Sequence, residues 1–245
     1  MNLCTGALPP RIDFRTLLFR DYSAGLPAPP VACDSFALAS SRLPGNPGVE
    51  IVMPMDGNDR YGDCVMAAVA HNVALCQGLI GKWDVLKESK VVELYKLLTG
   101  GRDSGLVVLD TLNWHRTNKV GGDNILGYFK LDQYNHTHVK QTIDTFGSVL
   151  MTFQVQENAQ KDFAAHRTWT PGRLLQEGHC VLAYKYDDPT VTSATWAAGQ
   201  PGSWDWWDHC VLEAYGILTA ETLVKGFHPG FDFAGFQAAV KAVTA

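Results

Sequence analysis

Residues 64–80 constrain the fold more than any other stretch of this chain. Val65, Val69, Val73, Cys76 and Ile80 recur on a helical period. Ala67, Ala68, Ala70 and Ala74 fill much of the remaining surface. A helix with apolar or small residues all round has no face suited to water, so it must be buried on several sides. Gly78 and Gly81 supply its stop. The rest of the chain therefore has to wrap this element.

The partners differ in character on its two sides. After it, Asp84 is a candidate N-cap for a second helix running to about Leu98, and residues 104–118 read as a third. From about residue 136 the period changes. A short helix over 137–146 is followed by strand alternation at Val149, Met151, Phe153 and Val155, and again at Cys180, Leu182, Tyr184 and Tyr186. Asp187-Asp188-Pro189 is a turn signal. Val191–Trp196 and Cys210–Leu218 are further strand candidates, and a last helix carries Phe233, Phe236, Val240 and Val243. The expected architecture is α+β, a helical first lobe over about 51–135 and a β-rich second lobe over about 136–245. Residues 1–50 are rich in proline and glycine but carry Phe14, Leu17, Phe19, Tyr22 and Phe36. They read as an extended segment packed on the body rather than a free linker.

Composition narrows the function classes. At 245 residues with 46% hydrophobic content, the chain can build a self-sufficient core. Its net charge of −5 disfavours a nucleic-acid partner. No apolar run approaches the roughly 18 residues that a membrane helix needs. The opening residues lack the basic head and apolar stretch of a secretory signal. A cytoplasmic or virion location is expected, with no membrane partner. The six cysteines (Cys4, Cys33, Cys64, Cys76, Cys180, Cys210) form no CxxC pair. Their spacing points to buried thiols rather than a zinc site or disulfide framework. No cofactor and no metal are expected. His136 and His138 are spaced to share a strand face, but no third ligand is evident.

Chemistry points to Cys64 and His179. Cys64 follows Gly62-Asp63 at the first turn of the buried helix, where the helix N-terminus favours a thiolate. The plain alternative is a small residue packed at a helix start. His179 opens the alternating strand Gly178-His179-Cys180-Val181-Leu182. A cysteine and a histidine far apart in sequence can meet in space as nucleophile and base. Cys180, next along the strand, should face the opposite side. Trp204, Trp206 and Trp207 form either an aromatic platform or a loop folded back on the second lobe.

These residues carry a resemblance to the papain-like cysteine peptidase superfamily, in a divergent form similar to bacterial and phage members. The first block is Asn58-Asp59-Arg60-Tyr61-Gly62-Asp63-Cys64, the second Gly178 to Asp187, and the third Thr195-Trp196 with the later Ala214-Tyr215. Val139–Val155 also resembles the family's stretch before the histidine. The resemblance implies a two-lobe papain-like fold and a thiol hydrolase of peptide or amide bonds. Cys64 is then the nucleophile, His179 the base and Asn58 the oxyanion donor. It also implies a peptide or protein substrate. Two departures stand out. The family's asparagine falls at Ala194, which leaves Thr195 or Ser193 to orient the imidazole, and the glycine after the family's tryptophan is Ala197. These departures keep open a second reading, a papain-fold protein with a binding or structural role in an assembly such as a phage particle. Acyl transfer or deamidation is a third.

Overall fold

The computed structural model describes residues 3–45, 51–122, 124–225 and 229–244. In chain order the elements are β1 (Cys33–Asp34), α1 (Ser35–Arg42), α2 (Cys64–Gly78), α3 (Glu88–Leu98) and α4 (Val108–His115) in the first part. They continue with β2 (Gly127–Lys130), α5 (His136–Phe146), β3 (Val149–Gln156), α6 (Ala159–Ala164), β4 (Leu174–Tyr186) and β5 (Thr190–Thr195). The last are β6 (Ala198–Ser203), α7 (Trp204–Cys210), β7 (Val211–Leu218), α8 (Ala220–Lys225) and α9 (Phe233–Thr244).

Every residue of α2 is buried. Its alanines let neighbours approach the backbone closely, and it packs chiefly against β4. The sheet order is β2-β7-β3-β4-β5-β6, antiparallel throughout, with β1 adding to β4. Alternation then sorts side chains between two cores. Leu150, Cys180, Leu182, Ala194 and Ile217 join α2, α3 and α4 in one cluster. Met151, Phe153, Val181 and Ala183 join Phe129, Ile143, Trp169 and Trp206 in the other. Cys64 lies in the first cluster, where the helical part meets the sheet.

Several elements depart from expectation for local reasons. Within residues 1–50, Ser35–Arg42 is helical, capped by the Asp34 carboxylate, which accepts from Ala37 N–H. Helix α3 starts at Glu88 rather than just after Asp84. Helix α4 starts only at Val108, because Leu106 pairs in β fashion with Ala7. The tryptophan cluster is neither a platform nor a loop but the helix α7. Ser203 caps it by accepting from Trp206 N–H. All three indole N–H groups are committed: Trp204 to Asp187 O, Trp206 to Gln156 Oε1 and Trp207 to Gln133 O. His136 and His138 sit on helix α5 rather than on a strand, and His136 Nε2 pairs with Asp208 at 2.7 Å.

Candidate active site

The loop before α2 is folded so that Cys64 becomes its first residue. Asp56 and Gly57 take left-handed φ values of 55° and 94°, which turns the chain sharply into Asn58. Asp103 pins the end of the loop. Its Oδ1 accepts from Gly62 N–H at 2.9 Å and from the Tyr95 hydroxyl at 2.6 Å. Asp63 occupies the N-cap position, but its carboxylate makes no cap hydrogen bond. It is fully buried, and burial pushes its pKa up to about 7, opposed by the Asn58 hydrogen bond.

Cys64 is 1% exposed. Burial pushes its thiol up to about 12. The nearby main-chain amides of Cys180, Gly6 and Val65 oppose that rise, while the Asp63 charge adds to it. Cys180, which follows His179 in the chain, lines the same small cavity as Cys64. A small cavity is lined by Cys64, Asn58, His71, Cys180, Ala194, Thr195 and Trp196.

His179 is supported by the β5–β6 hairpin. Its Nε2 is hydrogen-bonded to Thr195 Oγ1 at 2.8 Å. The Trp196 ring stacks on the imidazole, with centroids 4.4 Å apart at 20°, and Phe153 meets it edge-on. His179 Nδ1 is buried with no hydrogen-bond partner. Burial pushes the imidazole down to about 3, so it is neutral at pH 7. Of the two hydroxyls that the sequence leaves to orient the imidazole, Thr195 meets the ring, at Nε2, and Ser193 Oγ does not. The two-residue turn is Trp196-Ala197, with φ of 44° and 61°. Positive φ at both central residues is the tight-hairpin geometry that normally recruits Asn-Gly. Here bulkier residues accept the strain, and the turn lays the indole over His179.

The other sequence candidates fall as follows. Ala194 is buried in the inter-lobe core, paired with Leu182. Asn58 is buried near Cys64, but its Nδ2 donates to Asp63 Oδ1 at 3.3 Å and to Tyr61 O at 3.2 Å. Both amide hydrogens are thus spent away from an oxyanion. His71 lies two turns along α2, with Nε2 3.1 Å from Asp56 Oδ2 and from Pro54 O. Two acidic residues escape a sequence reading. Asp103 organises the Cys64 loop. Glu213, on β7, is fully buried and bonded by Tyr215 OH at 2.8 Å and Thr152 Oγ1 at 3.4 Å. The available signal for Glu213 is a lone carboxylate in the apolar run Val211–Leu218.

Solved structures share this arrangement of elements. Xylellain, a cysteine protease from Xylella fastidiosa, is similar at 14% identity and TM-score 0.64, over 89% of this chain and 97% of that one. Digestive procathepsin L 3 of the Tenebrio molitor larval midgut is similar at 12% identity and TM-score 0.57, over 89% and 76%. The cysteine protease and lectin-like domains of Cwp84, a surface layer associated protein of Clostridium difficile, align at 14% identity and TM-score 0.60, over 89% and 57%. The chain has a papain-like fold, in the two-lobe α+β form. No family model matches the sequence, and no curated protein matches it. Among the described residues, no helix is long and apolar enough to cross a membrane.

Proposed function

We propose that this chain is a cysteine peptidase acting on peptide or protein substrates, with Cys64 as nucleophile and His179 as base. The observation that carries the reading is the His179–Thr195 hydrogen bond under the Trp196 ring. With Nε2–H donating to Thr195 Oγ1, Nδ1 keeps its lone pair for the thiol proton. Cys64 sulfur then attacks the substrate carbonyl, forming an S–C bond as the proton passes to Nδ1. The C–N bond breaks and the amine leaves with that proton. Water hydrolyses the thioester and restores the thiol. The Cys64 backbone N–H, at the start of α2, is the fixed oxyanion donor, and Asn58 joins it by releasing Asp63. The xylellain and cathepsin folds support the same reading.

The second reading, a papain-fold binding protein without turnover, is favoured by the commitment of the Asn58 amide to Asp63 and Tyr61. Labelling with an electrophilic peptidyl probe, mapped by mass spectrometry, separates the two. A peptidase shows a label on Cys64 whose rate collapses in His179→Ala. A Cys64 labelling rate unchanged by His179→Ala removes the peptidase reading.

A further inference from the structure

Three polar side chains, Asp56, Asn58 and Asp63, are buried in the turn that leads to Cys64. The Asn58 peptide is fixed at both ends. Its N–H donates to Met55 O at 3.0 Å, and its carbonyl accepts from Cys4 N–H at 2.9 Å. Its side chain is held less firmly. Nδ2 donates to Tyr61 O at 3.2 Å and to Asp63 Oδ1 at 3.3 Å, both at the long end of the hydrogen-bond range. Asn58 also lines the small cavity that Cys64 lines. Turning its amide from Asp63 towards that cavity therefore needs a side-chain rotation and no movement of the main chain.

Asp63 gives that rotation a control. Its Oδ1 holds the Asn58 amide, while its Oδ2 is buried with no hydrogen-bond partner. A buried carboxylate with one oxygen unpaired is a poor place for a charge and a ready place for a proton. The charges that act on it are Asp56, on the same loop, and Asp103, from the loop before α4, and both favour the protonated form. Asp56 is itself paired with His71 of α2, Oδ2 to Nε2 at 3.1 Å. Cys64 of α2, Tyr95 of α3 and Cys4 feel the Asp63 charge in turn. A charged acceptor holds an amide about twice as strongly as a neutral one. Loss of the charge therefore loosens Asn58. It also takes a negative charge away from the place where a thiolate or an oxyanion forms.

We infer that Asp63 is a positioning residue worked by a proton: charged, it holds the Asn58 amide out of the oxyanion site, and neutral, it lets that amide turn in beside the Cys64 backbone N–H. The inference concerns control of the candidate active site and rests on the peptidase reading for its catalytic consequence. The proton comes from solvent and goes to Oδ2, and no other covalent bond forms or breaks. The bond to Tyr61 O is the pivot, so one amide hydrogen stays there while the other changes partner. The site is then complete on the acid side of the Asp63 midpoint, at about 7, and incomplete on the alkaline side.

The test is a pH titration of the full-length chain by NMR, from about pH 5 to pH 9, following the Asn58 side-chain amide assigned through its own Cβ. In wild type the Nδ2 protons should shift in one step centred near 7, together with the Asp63 carboxyl carbon. In Asp63→Asn, which fixes a neutral carbonyl in place of the carboxylate, the step should vanish. No Asn58 step in wild type overturns the inference. A step that persists in Asp63→Asn, or that follows the His71 ring rather than the Asp63 carboxyl, belongs to the Asp56–His71 pair and overturns it too. If Asp63→Asn does not fold, the agreement or disagreement of the Asn58 and Asp63 midpoints in wild type decides. The catalytic consequence is read from kcat/KM on a peptide substrate. Between about pH 6 and pH 8 the neutral share of Asp63 falls from roughly nine-tenths to one-tenth, so kcat/KM should fall about tenfold in wild type and stay level in Asp63→Asn. His179 is neutral across that range and adds no step of its own. A fall that persists in Asp63→Asn overturns the control. The amide step reports the Asn58–Asp63 contact whether or not peptides are cleaved. The step without hydrolysis of a peptide library keeps the proton-worked contact and removes the peptidase.

Discussion

Thr195 holds His179 by its Nε2 at 2.8 Å, while the neighbouring Ala194 is buried in the inter-lobe core against Leu182. Adjacent strand residues point to opposite faces, so the imidazole's partner is one position from where a motif alignment puts it. Thr195→Val removes the hydroxyl at nearly constant volume and leaves a buried ring nitrogen unpaired, costing about 1–3 kcal/mol. If that loss falls on the reacting state, kcat/KM on a peptide substrate drops roughly 10–100-fold with little change in KM. Thr195→Ser should recover most of it. Equal rates for Val and Ser variants would show that the hydrogen bond orients nothing that matters.

Trp196 keeps His179 dry. Trp196→Ala exposes the ring, so its pKa should climb from about 3 towards the ordinary 6.5. A depressed imidazole disfavours the folded state wherever the unfolded chain would protonate it. Wild-type stability should therefore fall as pH drops below about 6.5, and this slope should flatten in the variant. NMR titration of the His179 ring protons reads the shift directly. A pKa unmoved by the substitution would place the desolvation elsewhere.

Much of this arrangement is legible in the sequence, and the misses have physical causes. The all-apolar helix from Cys64 and the alternation from Cys180 to Tyr186 declare themselves, because burial imposes their periods. Strand β6 does not. Gly199, Pro201 and Gly202 leave Ala198–Ser203 without an alternating pattern, yet it is the sheet edge, where proline is tolerated. The tryptophan helix hides because three bulky residues in four look like a patch until Ser203 is recognised as its cap. The pairing of residues 4–8 with Asn58, Leu106 and Gly178 is invisible to side-chain reasoning, since those bonds are main chain. The late start of α4 has the same source, because both main-chain polar groups of Leu106 are paired with Gly6 and Leu8.

Cys64→Ala should abolish hydrolysis and also cost some stability. A cysteine at the edge of an open cleft would lose almost nothing on truncation. This one is 1% exposed and lies in the inter-lobe core. Losing a group of methylene size from such a site costs about 1 kcal/mol. Urea unfolding of the variant at pH 7 should show a lower midpoint at unchanged slope. No change in midpoint would mean that the cleft around Cys64 is open in solution.

Asp63 gives the chain a stability penalty that grows with pH. Its carboxyl titrates near 3.8 when unfolded and about 7 when folded, because burial opposes its charge. Between those values the native state holds a proton that the unfolded chain has released. Stability from this group therefore falls as pH rises from about 4 and levels off above 7. Three pH units correspond to roughly 4 kcal/mol as an upper figure. Asp63→Asn keeps a side-chain carbonyl for the Asn58 amide and removes the titration. The difference in unfolding free energy, variant minus wild type, should be small at pH 4 and favour the variant by a few kcal/mol at pH 8. The same substitution removes the negative charge beside Cys64, which should lower the thiol pKa. A flat stability difference across that pH range would mean that the Asp63 carboxyl titrates normally in the fold.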